Sequence, residues 1–214
     1  MHQLKSFQFI KNKISAISKN IQIVVVTKGQ SMETIQPILE TGHLHYGENR
    51  IQEATVKWQE NIFANKNLNL HLLGHLQTNK VKEAVNLFNY IHTLDSEKLA
   101  KLLSVEEKKK NKRIKYFIQI NIGNETQKTG IKIENVTAFK EYCLNNLKLD
   151  IIGLMCIPPA KENPSFFFSK LSSVAKAENL SELSMGMSED YMIAAECGST
   201  YLRIGKVIFN ENLK

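Results

Sequence analysis

The sequence lacks long apolar runs, has few cysteines and contains no segment with the composition of a linker. Within its 214 residues, no stretch approaches the roughly 20 consecutive apolar residues of a membrane-spanning helix, so we expect a soluble protein. Lysines interrupt the N-terminal segment, which argues against a signal peptide and favours the cytoplasm: Lys5, Lys11, Lys13 and Lys19. The three cysteines are odd in number and far apart, so we expect reduced packing residues rather than disulfides.

Several motifs are absent as well. No GxGxxG pattern follows the first predicted strand, and neither a P-loop nor a nucleophile elbow occurs. Some histidines fall near strand ends without the cysteine or carboxylate spacing of a zinc site, so we expect no metal: His43, His45, His71 and His75. The net charge is +7, but the densest basic run, Lys108–Arg113, has no aromatic residues between its charges. We therefore interpret this run as a solvated loop and expect no nucleic-acid partner, a basic nucleic-acid-binding barrel being an alternative that rests on net charge alone.

Strand and helix patterns alternate along the whole chain. Apolar residues at three- and four-residue spacing predict an opening helix, from Leu4 to Ile17. Eight strands are predicted after it: Ile21–Thr27, His43–Tyr46, Leu70–Leu73, Asn89–His92, Lys115–Asn121, Asp150–Met155, Glu182–Met185 and Tyr201–Ile204. Helices are predicted after most strands: Met32–Glu40, Asn49–Asn61, Asn79–Leu87, Ser96–Lys108, Ile133–Asn145, Pro164–Ala177 and Glu189–Glu196. Without hairpin signals, the alternation favours one α/β domain over residues 1–214, a (β/α)8 TIM barrel with an extra N-terminal helix, rather than an open sheet.

The C-terminal ends of the strands are where such a barrel carries its working groups. Lys28 follows the first strand and shares the face of Val24 and Val26, so it is expected at the barrel mouth. An amine held against apolar walls has a lowered pKa and can form an imine with an aldehyde. An ordinary surface lysine is the alternative interpretation of this position.

Two further signals follow the seventh and eighth strands. Ser188 either caps the next helix or, beside Gly186, contributes to a phosphate site. Arg203 shares strand parity with Gly205, so it is expected to point inward, and Gly205 allows a close approach of backbone to a ligand.

These signals meet at one place, because the first, seventh and eighth strands are neighbours in a closed barrel. An amine beside a phosphate cradle fits pyridoxal 5'-phosphate, with Lys28 as the Schiff-base lysine and Arg203 facing the pyridine nitrogen. A guanidinium there would keep that nitrogen unprotonated and the ring a poor electron sink. Asn49, beyond the second strand, either bonds the ring oxygen or caps the following helix.

Six segments of the chain together resemble the pyridoxal phosphate homeostasis proteins over nearly the whole length: Val26–Lys28, Tyr46–Asn49, Leu73–Lys80, Gly153–Met155, Leu183–Ser188 and Leu202–Gly205. The resemblance implies a fold like the N-terminal barrel of alanine racemase. It implies cofactor contacts from Lys28, Asn49, Met155, Ser188, Arg203, Gly205 and Lys206. It also implies a role in holding and delivering vitamin B6 cofactor, with no established catalysis.

The resemblance has departures and leaves an alternative open. Lys206 stands where the family commonly has a small hydroxyl residue, and Asn210 replaces a customary glycine. The residues after Lys28 also differ, so we expect phosphate affinity to be affected more than imine formation. A length of 214 residues leaves no room for the second domain of a racemase, so we expect a non-catalytic monomer that serves apo-enzymes as acceptors. The alternative is a racemase-like enzyme that uses the same lysine.

Overall fold

The computed structural model describes residues 2–64 and 67–210 of the chain. Its eight strands all run parallel and follow one another around a closed barrel in chain order. Their bounds are β1 Gln22–Val26, β2 His45–Glu48, β3 Asn69–Leu72, β4 Tyr90–Leu94, β5 Lys115–Gln119, β6 Asp150–Met155, β7 Glu182–Ser184 and β8 Tyr201–Ile204. β8 closes the barrel on β1, with Gln22 opposite Tyr201 and Val25 opposite Ile204. The predicted (β/α)8 barrel is confirmed.

Helices surround the barrel and connect its strands. Their bounds are α1 His2–Ile17, α2 Met32–Leu39, α3 Ile51–Ala64, α4 Val81–Leu87, α5 Glu97–Lys110, α6 Val136–Glu141, α7 Pro164–Ala177, α8 Tyr191–Glu196 and α9 Lys206–Phe209. The predicted opening helix is α1, which buries Phe7, Ile10 and Ile14. Ser31 caps α2, as its position before the helix indicates, by accepting from the Thr34 N–H. None of the described helices is long and apolar enough to cross a membrane.

Several predicted boundaries were wrong for identifiable reasons. The second strand was predicted over His43–Tyr46, but β2 begins at His45 and continues to Glu48. A Cβ at Gly47 would lie 2.5 Å from Leu73 and 2.9 Å from Val24, so glycine is required there by packing. The helix predicted over Ile133–Asn145 is a 3-10 turn, then α6, then a π-helical turn over Tyr142–Asn146.

The core consists of two regions with different composition. The first, here called the shell, lies between strands and helices and is apolar, with fully buried side chains such as Trp58, Phe88 and Phe168. The second, here called the barrel interior, is enclosed by the strands and has a smaller apolar cluster: Val24, Tyr90, Phe117, Met155 and Tyr201. The interior also contains buried polar side chains, which the site below uses: His71, His92, Ser184 and Arg203.

Candidate functional site

A cleft of about 1130 Å³ opens at the C-terminal ends of the strands. Six of the seven predicted site residues line it: Lys28, Asn49, Ser188, Arg203, Gly205 and Lys206. Met155 does not, because it is buried below the cleft in the apolar cluster of the barrel interior. The cleft is built from the ends of β1, β2 and β8 and from the segments after β3, β6 and β7.

Lys28 stands at the end of β1, in a backbone segment fixed on both sides. Lys57 Nζ donates to the Thr27 carbonyl at 2.6 Å, and the Gly29 N–H donates to the Glu53 carboxylate. Gly29 has a φ of +69°, in the left-handed region that glycine adopts without strain. The mouth position of Lys28 agrees with the prediction from strand parity. Its side chain is exposed, however, and is not enclosed by the apolar walls that we expected.

Glu48 anchors this segment from beneath, and the sequence did not single it out. Its carboxylate is fully buried, and Oε1 accepts from Thr27 Oγ1 at 2.6 Å and from Lys57 Nζ at 2.9 Å. Trp58 Nε1 donates to the same oxygen at 2.9 Å. Because Thr27 precedes Lys28 and Glu48 precedes Asn49, this cluster holds the two site residues at a fixed separation.

Arg203 occupies the floor of the cleft with only 5% of its surface exposed. Its guanidinium donates to Ser184 Oγ at 2.7 Å and to the Cys156 carbonyl at 3.1 Å. Burial lowers the pKa of Arg203, yet a guanidinium titrates so far above neutrality that it remains a cation and an obligatory donor. The predicted inward direction of this side chain is confirmed, and its partners are now identified.

Ser188, Gly205 and Lys206 meet at one wall of the cleft. Ser188 does not cap the next helix, as one alternative had it, because α8 begins only at Tyr191 and its N-cap residue is Asp190. Its hydroxyl accepts from the Val207 N–H at 3.3 Å, which leaves the hydroxyl proton available to a ligand. A Cβ at Gly205 would lie 2.7 Å from the Val26 carbonyl oxygen, so the close contact there is to β1.

Lys206 carries the second amine of the cleft. Its ammonium pairs with Glu189 at 3.1 Å, and both side chains are largely exposed. A phosphate at this wall would therefore compete with a carboxylate for Lys206 rather than meet an unengaged cation. That the departures of this chain affect phosphate affinity more than imine formation stays a prediction.

Asn49 lines the cleft directly after the end of β2, with one residue between it and α3. Its backbone approaches Gly74 so closely that a Cβ at Gly74 would lie 2.1 Å from the Asn49 carbonyl oxygen. Glycine at position 74 thus allows the close packing that positions Asn49. Strand and helix patterns in the sequence do not reveal this requirement.

Four histidines were considered for a metal site, and the structure pairs two of them, with His45 Nδ1 3.0 Å from His71 Nε2. His43 precedes β2, and its Nε2 lies 2.8 Å from the Ile23 carbonyl oxygen. His75 lies at the surface, 3.2 Å from Asp95. Among the described residues, no cluster of histidine, cysteine or carboxylate side chains could hold a metal.

The donor set of the cleft suits an anionic aromatic aldehyde. Two amines, a buried guanidinium and a hydroxyl proton face a space whose other walls include Val26, Leu73 and Phe209. A flat ring can pack against such apolar side chains while its polar groups meet the amine, the guanidinium and the hydroxyl. The residues present therefore fit pyridoxal 5'-phosphate.

Comparison with known proteins agrees with this assignment. The profile of the family described as "Alanine racemase, N-terminal domain" matches residues 6–212. A pyridoxal phosphate homeostasis protein of Aquifex aeolicus is 38% identical over 190 residues, covering 84% of this chain and 82% of that protein. This chain belongs to the pyridoxal phosphate homeostasis protein family. Another member, from Pasteurella multocida, is 34% identical and covers 88% of this chain and 85% of its own length.

Solved structures of a homologue carry the same architecture. PipY of Synechococcus elongatus, determined with PLP bound, is 28% identical and superposes with a TM-score of 0.85 over 97% of this chain and 100% of its own. The structure of PipY without PLP superposes with a TM-score of 0.89 at 29% identity, over 97% of this chain and 99% of its own. PipY thus has the same barrel as this chain, and its structure has been determined with the cofactor bound.

Proposed function

We propose that this chain binds pyridoxal 5'-phosphate in the cleft, holds it as a Schiff base on Lys28 and releases it to other proteins. The observation that carries the proposal is the convergence of the Lys28 amine and the buried Arg203 guanidinium in one cleft. The name of its relatives and the PLP bound to PipY support the choice of cofactor. When bound, the cofactor supplies an aldehyde to the amine and a ring whose nitrogen can accept a hydrogen bond.

Each site residue has a defined part in this proposal. Lys28 bonds the aldehyde carbon, and Asn49 lies beside it at the end of β2. Arg203 donates to the ring nitrogen and, as a permanent cation, disfavours protonation of that nitrogen. Ser188, Gly205 and Lys206 hold the phosphate, and Met155 supports the floor from the barrel interior.

The exposure of Lys28 supports a carrier rather than an enzyme. A lysine open to solvent can exchange its imine partner with water or with an incoming amine, which release requires. A ring nitrogen kept unprotonated makes the cofactor a weak electron sink, so bond breaking at a substrate carbon is not promoted. No tyrosine is among the described residues that line the cleft, so none there offers a phenol as acid or base. The chain acts in this proposal as a cytoplasmic monomer.

Transfer of cofactor tests the carrier role. The chain is loaded with pyridoxal phosphate, freed of excess cofactor and mixed with an apo-enzyme that depends on it. The control is the apo-enzyme mixed with the same amount of free cofactor in the desalting buffer. Recovery of enzyme activity that is faster with the loaded chain than in this control supports delivery. Lys28→Ala, taken through the same loading, is a second control and should deliver almost nothing. A loaded chain that releases no cofactor to any acceptor contradicts the carrier role.

A racemase-like enzyme is the second candidate, favoured by the match to the alanine racemase N-terminal domain and by the same lysine. Such an enzyme exchanges the α-hydrogen of an amino acid with solvent. The loaded chain is incubated with D- and L-amino acids in deuterated water, and incorporation of deuterium is followed by NMR. We expect exchange no faster than with free cofactor, and exchange that depends on Lys28 would favour the enzyme.

A further inference from the structure

A line of hydrogen-bonded side chains runs through the barrel interior from the floor of the cleft toward the opposite end. It begins at Arg203, whose guanidinium lies 2.7 Å from Ser184 Oγ. Ser184 Oγ lies 2.7 Å from His92 Nδ1, and His92 Nε2 lies 2.9 Å from His71 Nδ1. His71 Nε2 lies 3.0 Å from His45 Nδ1. These five residues, from β8, β7, β4, β3 and β2, are here called the histidine line.

The histidine line is enclosed by aromatic rings. The His71 ring stacks on Tyr90 with centroids 4.1 Å apart, and the His92 ring lies 4.4 Å from Phe117. His71, His92 and Ser184 are fully buried. Hydrogen bonds in such an environment are strong and an unpaired donor is costly, so the proton positions are determined by partner geometry.

The imidazoles of the histidine line are neutral near pH 7. Burial lowers the pKa of His71 and His92 well below the usual range, and neighbouring imidazoles and Arg203 act in the same direction. Burial and nearby Lys115 lower the pKa of His45 to about 4. A neutral imidazole has one N–H and one bare nitrogen, so each ring donates on one side and accepts on the other.

One end of the histidine line determines the direction of all its bonds. Arg203 can only donate, so it occupies one lone pair of Ser184 Oγ. If the Ser184 hydroxyl donates to His92 Nδ1, then His92 donates from Nε2 to His71, and His71 donates from Nε2 to His45. Each contact of the histidine line then has one donor and one acceptor. In the reverse direction His92 also donates to Ser184, and the Ser184 hydroxyl proton has no partner among the described residues.

We propose that the histidine line positions Arg203 in the cleft and has a single direction, in which each of its imidazoles carries its proton on Nε2. Arg203 is the fixed donor. Ser184 accepts from the guanidinium and donates to His92, and the hydrogen bonds between the neutral imidazoles then all run in the same direction. His45 is the far end, with its ring about 6 Å from those of Tyr90 and Tyr201. The guanidinium that faces the cofactor site is thereby held by a chain of contacts that crosses the barrel.

The proton positions can be read by nitrogen NMR. With histidine labelled with ¹⁵N and at neutral pH, the protonated and bare ring nitrogens of each residue have clearly separate resonances. We expect the Nε2–H form of His71 and His92 to predominate by about tenfold or more, since the reverse direction leaves a buried donor unpaired. An Nδ1–H form at either residue would overturn the proposal.

Two substitutions of Arg203 test the source of the direction. Arg203→Lys retains an obligatory donor, so His71 and His92 should keep the Nε2–H form. Arg203→Met removes the donor and frees the Cys156 carbonyl, which can then accept the Ser184 hydroxyl proton directly or through a water, so both rings should move together toward a mixture of forms. His43, whose Nε2 contacts backbone carbonyls and which is outside the line, should not change in either variant. Unchanged proton positions in Arg203→Met would show that Arg203 does not set the direction.

The positioning of Arg203 has its own measurement. A guanidinium held by Ser184 rotates slowly, so its Nη groups should give distinct resonances in the parent. Ser184→Ala should merge them through faster rotation, and Ser184→Thr, which keeps the hydroxyl, should restore the separation. Distinct Nη resonances that persist in Ser184→Ala would overturn the positioning role. Both measurements need no cofactor, so they are decided independently of the proposed function.

Discussion

The shell and the barrel interior enclose the same strands but use opposite chemistry. The shell is filled by aliphatic and aromatic side chains from both strands and helices. The interior places three imidazoles, a serine and a guanidinium beside a few aromatic rings. Successive side chains of a strand point alternately to the shell and to the barrel interior, so neighbouring residues in the sequence lie in different chemical environments.

The difference shows where stability and function are located. Apolar packing in the shell tolerates no voids but has no direction, whereas each bond in the interior depends on the next. The cleft is at the open end of the interior, and its buried cation is part of that polar series. The apolar shell therefore supplies most of the stability of the fold, and the polar barrel interior holds the side chain that the cleft uses for binding.

Breaking the shell should have the largest effect on stability. Phe168 in α7 is fully buried, so Phe168→Ala should lower the free energy of unfolding by about 3–5 kcal/mol. Phe166, in the same helix but 64% exposed, is the matched control, and Phe166→Ala should cost less than about 0.5 kcal/mol. Urea unfolding followed by fluorescence of the single tryptophan measures both. Equal losses would contradict the assignment of Phe168 to the shell.

Acid should act on the interior with an intermediate effect. The pKa values of His71 and His92 are lowered by burial, so below pH about 6.5 the unfolded chain binds protons that the folded chain does not. The stability that these two neutral rings contribute is fully present above the pKa of histidine in the unfolded chain. It is lost as the pH falls through that value. Together the two rings should remove about 2 kcal/mol between pH 6.5 and 5.5.

Substitutions assign this loss to the interior. His92→Gln should reduce the loss of unfolding free energy between pH 6.5 and 5.5 by about half, because one of the two buried rings is removed. Phe166→Ala, which removes no ionisable group and lies at an exposed position, should leave the pH dependence unchanged. Urea unfolding at several pH values provides the comparison. An identical dependence in the parent and in His92→Gln would mean that the ring is not buried as a neutral group.

The exposed ion pair at the mouth should matter least to stability. Lys206 and Glu189 are 58% and 83% exposed, so Glu189→Gln should change the free energy of unfolding by less than about 0.5 kcal/mol. Thermal unfolding at low and moderate salt checks this. A loss above about 1 kcal/mol would show that charges at the rim contribute to stability as buried groups do.

The shell was largely predictable from sequence, and the interior was not. Apolar spacing in α1 and β-branched runs such as Ile23–Val25 indicate which faces are buried, and strand and helix alternation indicates the barrel. Lys28 and Arg203 were also predicted, because both depend only on strand parity and on the usual location of sites in this fold.

The missed features depend on contacts between distant strands. His45, His71 and His92 lie on three strands, and nothing in their spacing shows that the rings meet one another and Ser184. Glu48 was placed just past the second strand, yet it lies in β2 and is the buried acceptor beneath Lys28. The exposure of Lys28 likewise depends on how far the surrounding loops extend, which periodicity does not describe.

The central claim is that Lys28, and not the second amine of the cleft, bonds the cofactor. The chain is loaded with pyridoxal phosphate and treated with borohydride, which adds hydride to the imine carbon as the nitrogen takes a proton, leaving a stable secondary amine. Peptide mapping by mass spectrometry then locates the label. We expect the label on Lys28, where it should be retained in Lys206→Ala and lost in Lys28→Ala. Label on Lys206 in the parent, or no label on any lysine of the cleft, would contradict it.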